Sequence, residues 1–249
     1  MRKALQIIPI LIFCYFWESA ASSSERFAFY FGQPSEIAEH FYHRMFSGVL
    51  LRDYAVTFFE AIGGFLLGTT AGTLVGLIFW FSRPVFLFVR PYVIALGSTP
   101  VFALAPLLII WFGTGFSSKL AIAAISTFFI ALFQSYSGVE DVKPQHTALL
   151  KSLGATRLEI FRKGVVPNAL VWVISGLKLS VGYALLGAFI GEFISSNAGL
   201  GHMIIVASGL FDISLVLLGV FLIVSMALLM TVIIDRIQQP LKRLIVRLF

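Results

Sequence analysis

The chain has 249 residues, of which 59% are hydrophobic and only 12% charged, with a formal net charge of +6. An ordinary soluble domain carries about a quarter charged residues, so a water-facing exterior of the usual kind is excluded and the bilayer is the solvent for most of the chain. The basic residues form no contiguous stripe, which argues against a nucleic-acid face, and the single cysteine, Cys14, leaves no intrachain disulfide and no multi-cysteine metal site.

A helix crossing the hydrocarbon needs about 20 mostly apolar residues, because lipid cannot satisfy exposed backbone polar groups. The first apolar run, about 4–21, follows Arg2 and Lys3 and is succeeded by the small residues Ser19 to Ser24. It fits a short first span with Trp17 at the interface, or a secretory signal peptide whose loss would leave five spans; Glu18 and several interchangeable small residues offer no clean processing site. Residues 22–54 form the longest outward loop, in which Gln33-Pro34-Ser35-Glu36 predicts a turn into a short surface helix with Ser35 as its N-cap.

The second span is predicted over 55–80. Its Gly64, Gly68, Gly72 and Gly76 recur on one helix face, which suits close packing either inside the chain or at a dimer seam. Glu60 lies near the outer end, within reach of headgroups. A third span follows at 91–113 and a fourth at 118–138.

The fifth span, 168–190, contains Lys178, where snorkelling is hard. That lysine suits either the path of an anionic solute or a paired structural role. The segment Gly191 to Asp212, with Ser195-Ser196-Asn197-Ala198-Gly199-Leu200-Gly201, predicts a re-entrant or interfacial loop. Glu192 and Asn197 there are candidates for a gate or a contact with a delivering protein, and with Lys178 they make up the candidate translocation path. A sixth span runs over 213–235. His40, His43, His146 and His202 fall in different segments, so a metal site is not expected.

Thirteen of the lysines and arginines fall in one set of loops and termini, from Arg2 and Lys3 through Arg83, Arg90 and the 143–163 cluster to Arg247. Only Arg26, Arg44, Arg52 and Lys119 fall in the opposite set. The excess marks the cytoplasmic side, so both termini are expected there. With no repeat or linker, the chain reads as a single all-α domain, residues 1–249: a polytopic membrane helix bundle of about six transmembrane helices.

The cytoplasmic loop over about 139–168 is too structured for a plain connection. Leu149, Leu150 and Leu153 fall at helical spacing and Gly154 offers a C-terminal stop. A second short helix is predicted from Thr156, with Leu158, Phe161 and Val165 on one side and Pro167 ending it. Such an elbow suits docking into a groove, or lying as an amphipathic pair on anionic lipid.

The run Lys151-Ser152-Leu153-Gly154-Ala155-Thr156, followed after a basic pair by Gly164-Val165-Val166-Pro167-Asn168, resembles the cytoplasmic coupling loop of binding-protein-dependent ATP-binding-cassette (ABC) importer permeases of the type I fold. Gly154 and Pro167 match that loop's two fixed points; Ala148-Leu149-Leu150 stands where the family has Glu-Ala-Ala. Ser98-Thr99-Pro100 through Pro106-Leu107-Leu108-Ile109-Ile110-Trp111-Phe112-Gly113, and Gly191-Glu192 with Asn197 to Gly201, are similar to other family segments. Together they point to the nitrate, sulfonate, taurine and bicarbonate group, which includes vitamin-precursor importers.

The resemblance implies a non-catalytic permease in the bacterial inner membrane that moves a small, anionic solute. Its implied partners are a second permease chain, most simply identical, two ABC ATPase subunits that hold the ATP, and an extracytoplasmic solute-binding protein. Ala148, Leu149, Leu150, Leu153, Gly154, Ala155 and Pro167 would form the ATPase-coupling loop with its coupling helix. The chain itself has no Gly-x-x-x-x-Gly-Lys-Ser/Thr loop to cradle phosphates, so no cofactor is expected on it. The alternative is an ion-gradient-driven secondary transporter, which would normally show inverted repeats and broken helices near the midplane.

Overall fold

The computed structural model describes the backbone of residues 8–248 and the side chains of residues 8–241 and 243. Arg2, Lys3 and the start of the first apolar window lie outside the described residues. Every described element is helical. α1 (Ile8–Ser23) is apolar from Ile8 to Trp17 and buries only Ala21; at 16 residues it is short for a full crossing. It is tied to the outward segment by the Trp17 indole N–H, which donates to the Gly32 carbonyl at 3.1 Å, and by Glu18.

α2 (Glu25–Phe31) and α3 (Pro34–Phe46) fill that outward segment. Ser35 is not the N-cap of α3. Gln33 holds that position, Pro34 takes the first turn with its φ already set, and Glu18 of α1 accepts from the Ser35 N–H at 3.0 Å and its hydroxyl at 2.9 Å. The orphan donor is thus satisfied by a neighbouring helix instead of by a local side chain.

α4 (Val49–Ile78, continued by a 3-10 turn over Phe79–Phe81), α7 (Phe116–Glu140), α10 (Val166–Ile194) and α12 (Ile213–Leu248) are each long and apolar enough to cross a membrane. The predicted third span, 91–113, is not one helix. α5 (Arg83–Gly97) and α6 (Val101–Phe112) meet at 92° across Ser98-Thr99-Pro100. Pro100 supplies no N–H and pushes Thr99 away from helical backbone angles, so the run breaks despite its even hydropathy.

α4 and α7 run parallel, and α10 runs antiparallel to both. The glycine stripe of α4 sets their approach. A Cβ on Gly64 would strike Ala123, one on Gly68 would strike Ala124 and Thr127, one on Gly72 would strike Phe128, and one on Gly76 would lie 2.7 Å from Ser135. The stripe is therefore an intrachain seam, and backbone groups come close enough for Thr127 to donate to the Gly64 carbonyl (3.2 Å) and Ser135 to that of Thr73 (3.0 Å). α10 approaches the other side of α7 through Gly187, Gly176 and, from α7, Gly138.

Candidate functional site

At the end of the bundle that carries Arg83 and Arg157, two short helices form the elbow. α8 (Pro144–Ser152) closes with Gly154 at φ +81°. The Gly154 N–H donates to the Lys151 carbonyl and the Ala155 N–H to that of Leu150, each at 3.0 Å, a paired closure that requires the left-handed residue. α9 (Arg157–Ile160) then starts on Thr156, whose hydroxyl accepts from the Glu159 N–H while the Glu159 carboxylate accepts from the Thr156 N–H at 2.8 Å. This reciprocal capping box fixes the bend.

The elbow is anchored by Arg157. Its guanidinium donates to the Phe81 carbonyl at 2.6 Å and lies over the Trp80 ring at 5.4 Å, while Phe161 packs on both aromatics. Leu149, Leu153 and Leu158 are left outward, 59%, 74% and 56% exposed, while Leu150 is half-buried and Ala148 exposed. The expected common side of Leu158, Phe161 and Val165 is split: Phe161 and Val165 turn inward. Pro167 does not end the helix. A five-residue π-helical turn, Phe161–Val165, widens the ladder there, so that Pro167 is taken in directly after it and the helix continues to Ile194.

The opposite end holds a buried polar knot. α11 (Leu200–Gly209) follows the turn at Ser195–Gly199, and its first N–H groups are satisfied by side chains from other helices. Gly199 N–H donates to Asp53 (3.0 Å), Leu200 N–H to the Thr57 hydroxyl (2.9 Å) and Gly201 N–H to Glu192 (2.7 Å). Thr57 in turn donates to Glu192 at 2.6 Å. Two carboxylates at a helix N-terminus complement its positive end. Gly199, at φ +109°, has no room for a side chain, since a Cβ would run into the Glu192 carboxylate.

Glu60 and Lys119 complete the knot, both almost fully buried. Lys119 donates to the Thr114 carbonyl, and one Glu60 oxygen is buried with no hydrogen-bond partner among the described residues. Glu60 therefore does not reach the headgroups. Asp53 and Thr57 escape the sequence reading, Glu60 enters it only as a residue within reach of headgroups and Lys119 only as an outward-side charge, although Asp53, Thr57 and Glu60 extend the α4 glycine face outward at helical spacing.

The three path candidates are not brought together. Glu192 is 0% exposed inside the knot. Asn197 is exposed on the turn, where it and Glu192 line the same shallow depression beside Thr114 and His202. Lys178 lies 14 residues before Glu192 on α10, about 21 Å along the axis, and its ammonium pairs with Asp235 of α12 at 2.6 Å.

Known proteins resemble the chain in sequence and in fold. Residues 64–247 match the family model described as the binding-protein-dependent transport system inner membrane component. The chain is 30% identical to the riboflavin transport system permease protein RibX of Chloroflexus aurantiacus, covering 96% of this chain and 88% of that one. It is 28% identical to the taurine transport system permease protein TauC of Escherichia coli, over 68% and 62% of the two chains. Among solved structures, an inward-facing MetNI methionine ABC transporter chain shares its fold with a TM-score of 0.70 at 16% identity, covering 79% of this chain and 97% of that one. The family model covers most of the chain, and together with a 30%-identical relative matched along nearly its full length it shows that the chain belongs to the binding-protein-dependent ABC transporter permeases, the non-catalytic membrane components of such transporters.

Proposed function

We propose that the chain imports a small organic solute across the bacterial inner membrane as one of two identical permeases, driven by ATP held on separate ATPase subunits and fed by an extracytoplasmic binding protein. Both termini and the elbow face the cytoplasm. The elbow carries the reading: leucines that would normally be buried stand outward on a doubly capped, arginine-anchored pair of helices. A solvated loop has no need of such construction, and an exposed apolar ridge of this kind suits a groove on a partner. Ala148, Leu149, Leu150, Leu153, Gly154 and Ala155 form the coupling contact, with Pro167 at the root of the helix that receives its motion.

Relatives named for riboflavin and for taurine differ too much to name the solute. The anionic class implied by the resemblance gains no support from Lys178, whose charge is already matched by Asp235. Glu192 and Asn197 serve the outer end of the path, Glu192 by holding the turn that carries Asn197. An ion-gradient carrier is disfavoured by the family.

The test is purification and reconstitution with the neighbouring ATPase and binding protein. The ATPase should co-purify and uptake should require ATP; ion-driven uptake by this chain alone would remove the importer reading. Gly154→Val places a β-branched residue in left-handed backbone, a cost of about 1–2 kcal/mol. It should insert normally yet lose most ATP-driven uptake, and full uptake would count against the coupling assignment.

A further inference from the structure

We infer that the break between α5 and α6 opens a solute site midway through the membrane that takes an uncharged, planar ring compound; the inference rests on the importer reading. Gly97 packs against Phe129 and Phe133 of α7, with contacts of 3.2–3.3 Å to an added Cβ. Phe129 lies thirteen residues from one end of that 25-residue helix and eleven from the other, so the break sits at mid-depth.

At that depth irregular backbone survives only where protein or a water-filled cavity covers it. The Ser98 N–H and Thr99 N–H are bonded within the turn, and the Thr99 hydroxyl donates to the Ala95 carbonyl at 3.0 Å. The carbonyls of Gly97 and Ser98 accept no hydrogen bond from the described residues, and both residues are exposed on the chain. Hydrocarbon cannot sit against them.

A cavity of about 370 Å³ opens at this point, within the range of roughly 300–1,000 Å³ usual for small-molecule sites. The rings of Phe102, Phe129 and Tyr183 line it, with hydroxyls from Ser98, Thr99 and Ser126, and its described lining has no Asp, Glu, Lys or Arg. An anion brought there would lose its hydration with no countercharge, whereas a flat neutral ring gains aromatic faces and the free carbonyls accept from its N–H or O–H groups. The importer thus discriminates twice, at the binding protein and again inside the membrane.

The test uses the full transporter in liposomes with Cys14→Ser and Ser98→Cys, with Thr99→Cys as a second variant and Leu228→Cys, exposed on α12, as the control. A thiol reacts only as thiolate, which needs water. N-ethylmaleimide should label position 98 about tenfold faster than position 228. Riboflavin near saturation should slow that labelling about fivefold, and ethanesulfonate at the same concentration should not. Labelling no faster than at 228, as when a second copy covers the break, overturns the site. So does protection by ethanesulfonate or by neither compound. Failure of the importer reading shows separately, as absence of the ATPase from the purified complex, because labelling is read on this chain alone.

Discussion

Thr57 joins the ends of three helices through one hydroxyl: it donates to Glu192 of α10 and accepts from Leu200 at the start of α11. Replacing it with valine keeps the volume and leaves a buried N–H and a buried carboxylate oxygen each short of a partner, a penalty of about 1–3 kcal/mol per group. Thr57→Val should lower the thermal midpoint of the purified chain, and Thr57→Ser should restore it; an unchanged Thr57→Val midpoint would show that water replaces the hydroxyl. The partners lie 135 and 143 positions away in sequence, which is why this site is not legible from local pattern. Glu192 and Gly199 are visible through the family resemblance, but what they hold is not. The one local signal is the spacing of Asp53, Thr57 and Glu60, which continue the face marked by the glycines.

At the level of elements, the α4 stripe meets α7 with no slack. A leucine at Gly68 would have to displace both the Ala124 backbone and Thr127, and backbone cannot yield as a side-chain tip can. Overpacking of this kind typically costs about 1–3 kcal/mol and more where backbone is struck. Gly68→Leu should reduce the yield of folded protein, whereas Gly209→Ala, where nothing lies within contact, should leave it unchanged. Size-exclusion recovery after extraction would separate the two.

The elbow was readable because its instructions are local: a left-handed glycine, then a threonine and a glutamate three residues on. The broken span was not, since hydropathy averages over Ser98-Thr99-Pro100 and sees one long apolar run. Pro167 misled for a related reason. A proline stops a regular α-helix, but a π-turn supplies the extra residue that lets the chain pass.

At the scale of the whole molecule, an ion pair ties two of the long helices together. Lys178 and Asp235 sit half-exposed on facing helices, and either alone would strand a charge within the membrane. Lys178→Ala should lower folded yield, as should Asp235→Ala, and the exchange Lys178→Asp with Asp235→Lys should recover most of it. Recovery of yield without recovery of uptake would return Lys178 to the solute path; recovery of both would establish a structural pair.

The helical run from Arg157 to Ile194 is continuous over 38 residues, about 57 Å, and it begins in the elbow and ends beside Glu192. One rod therefore links the two faces of the bilayer. A tilt imposed on its inner tip cannot stop halfway, except as twist absorbed in the five-residue wide turn, so the outer turn that Glu192 grips must follow the same stroke.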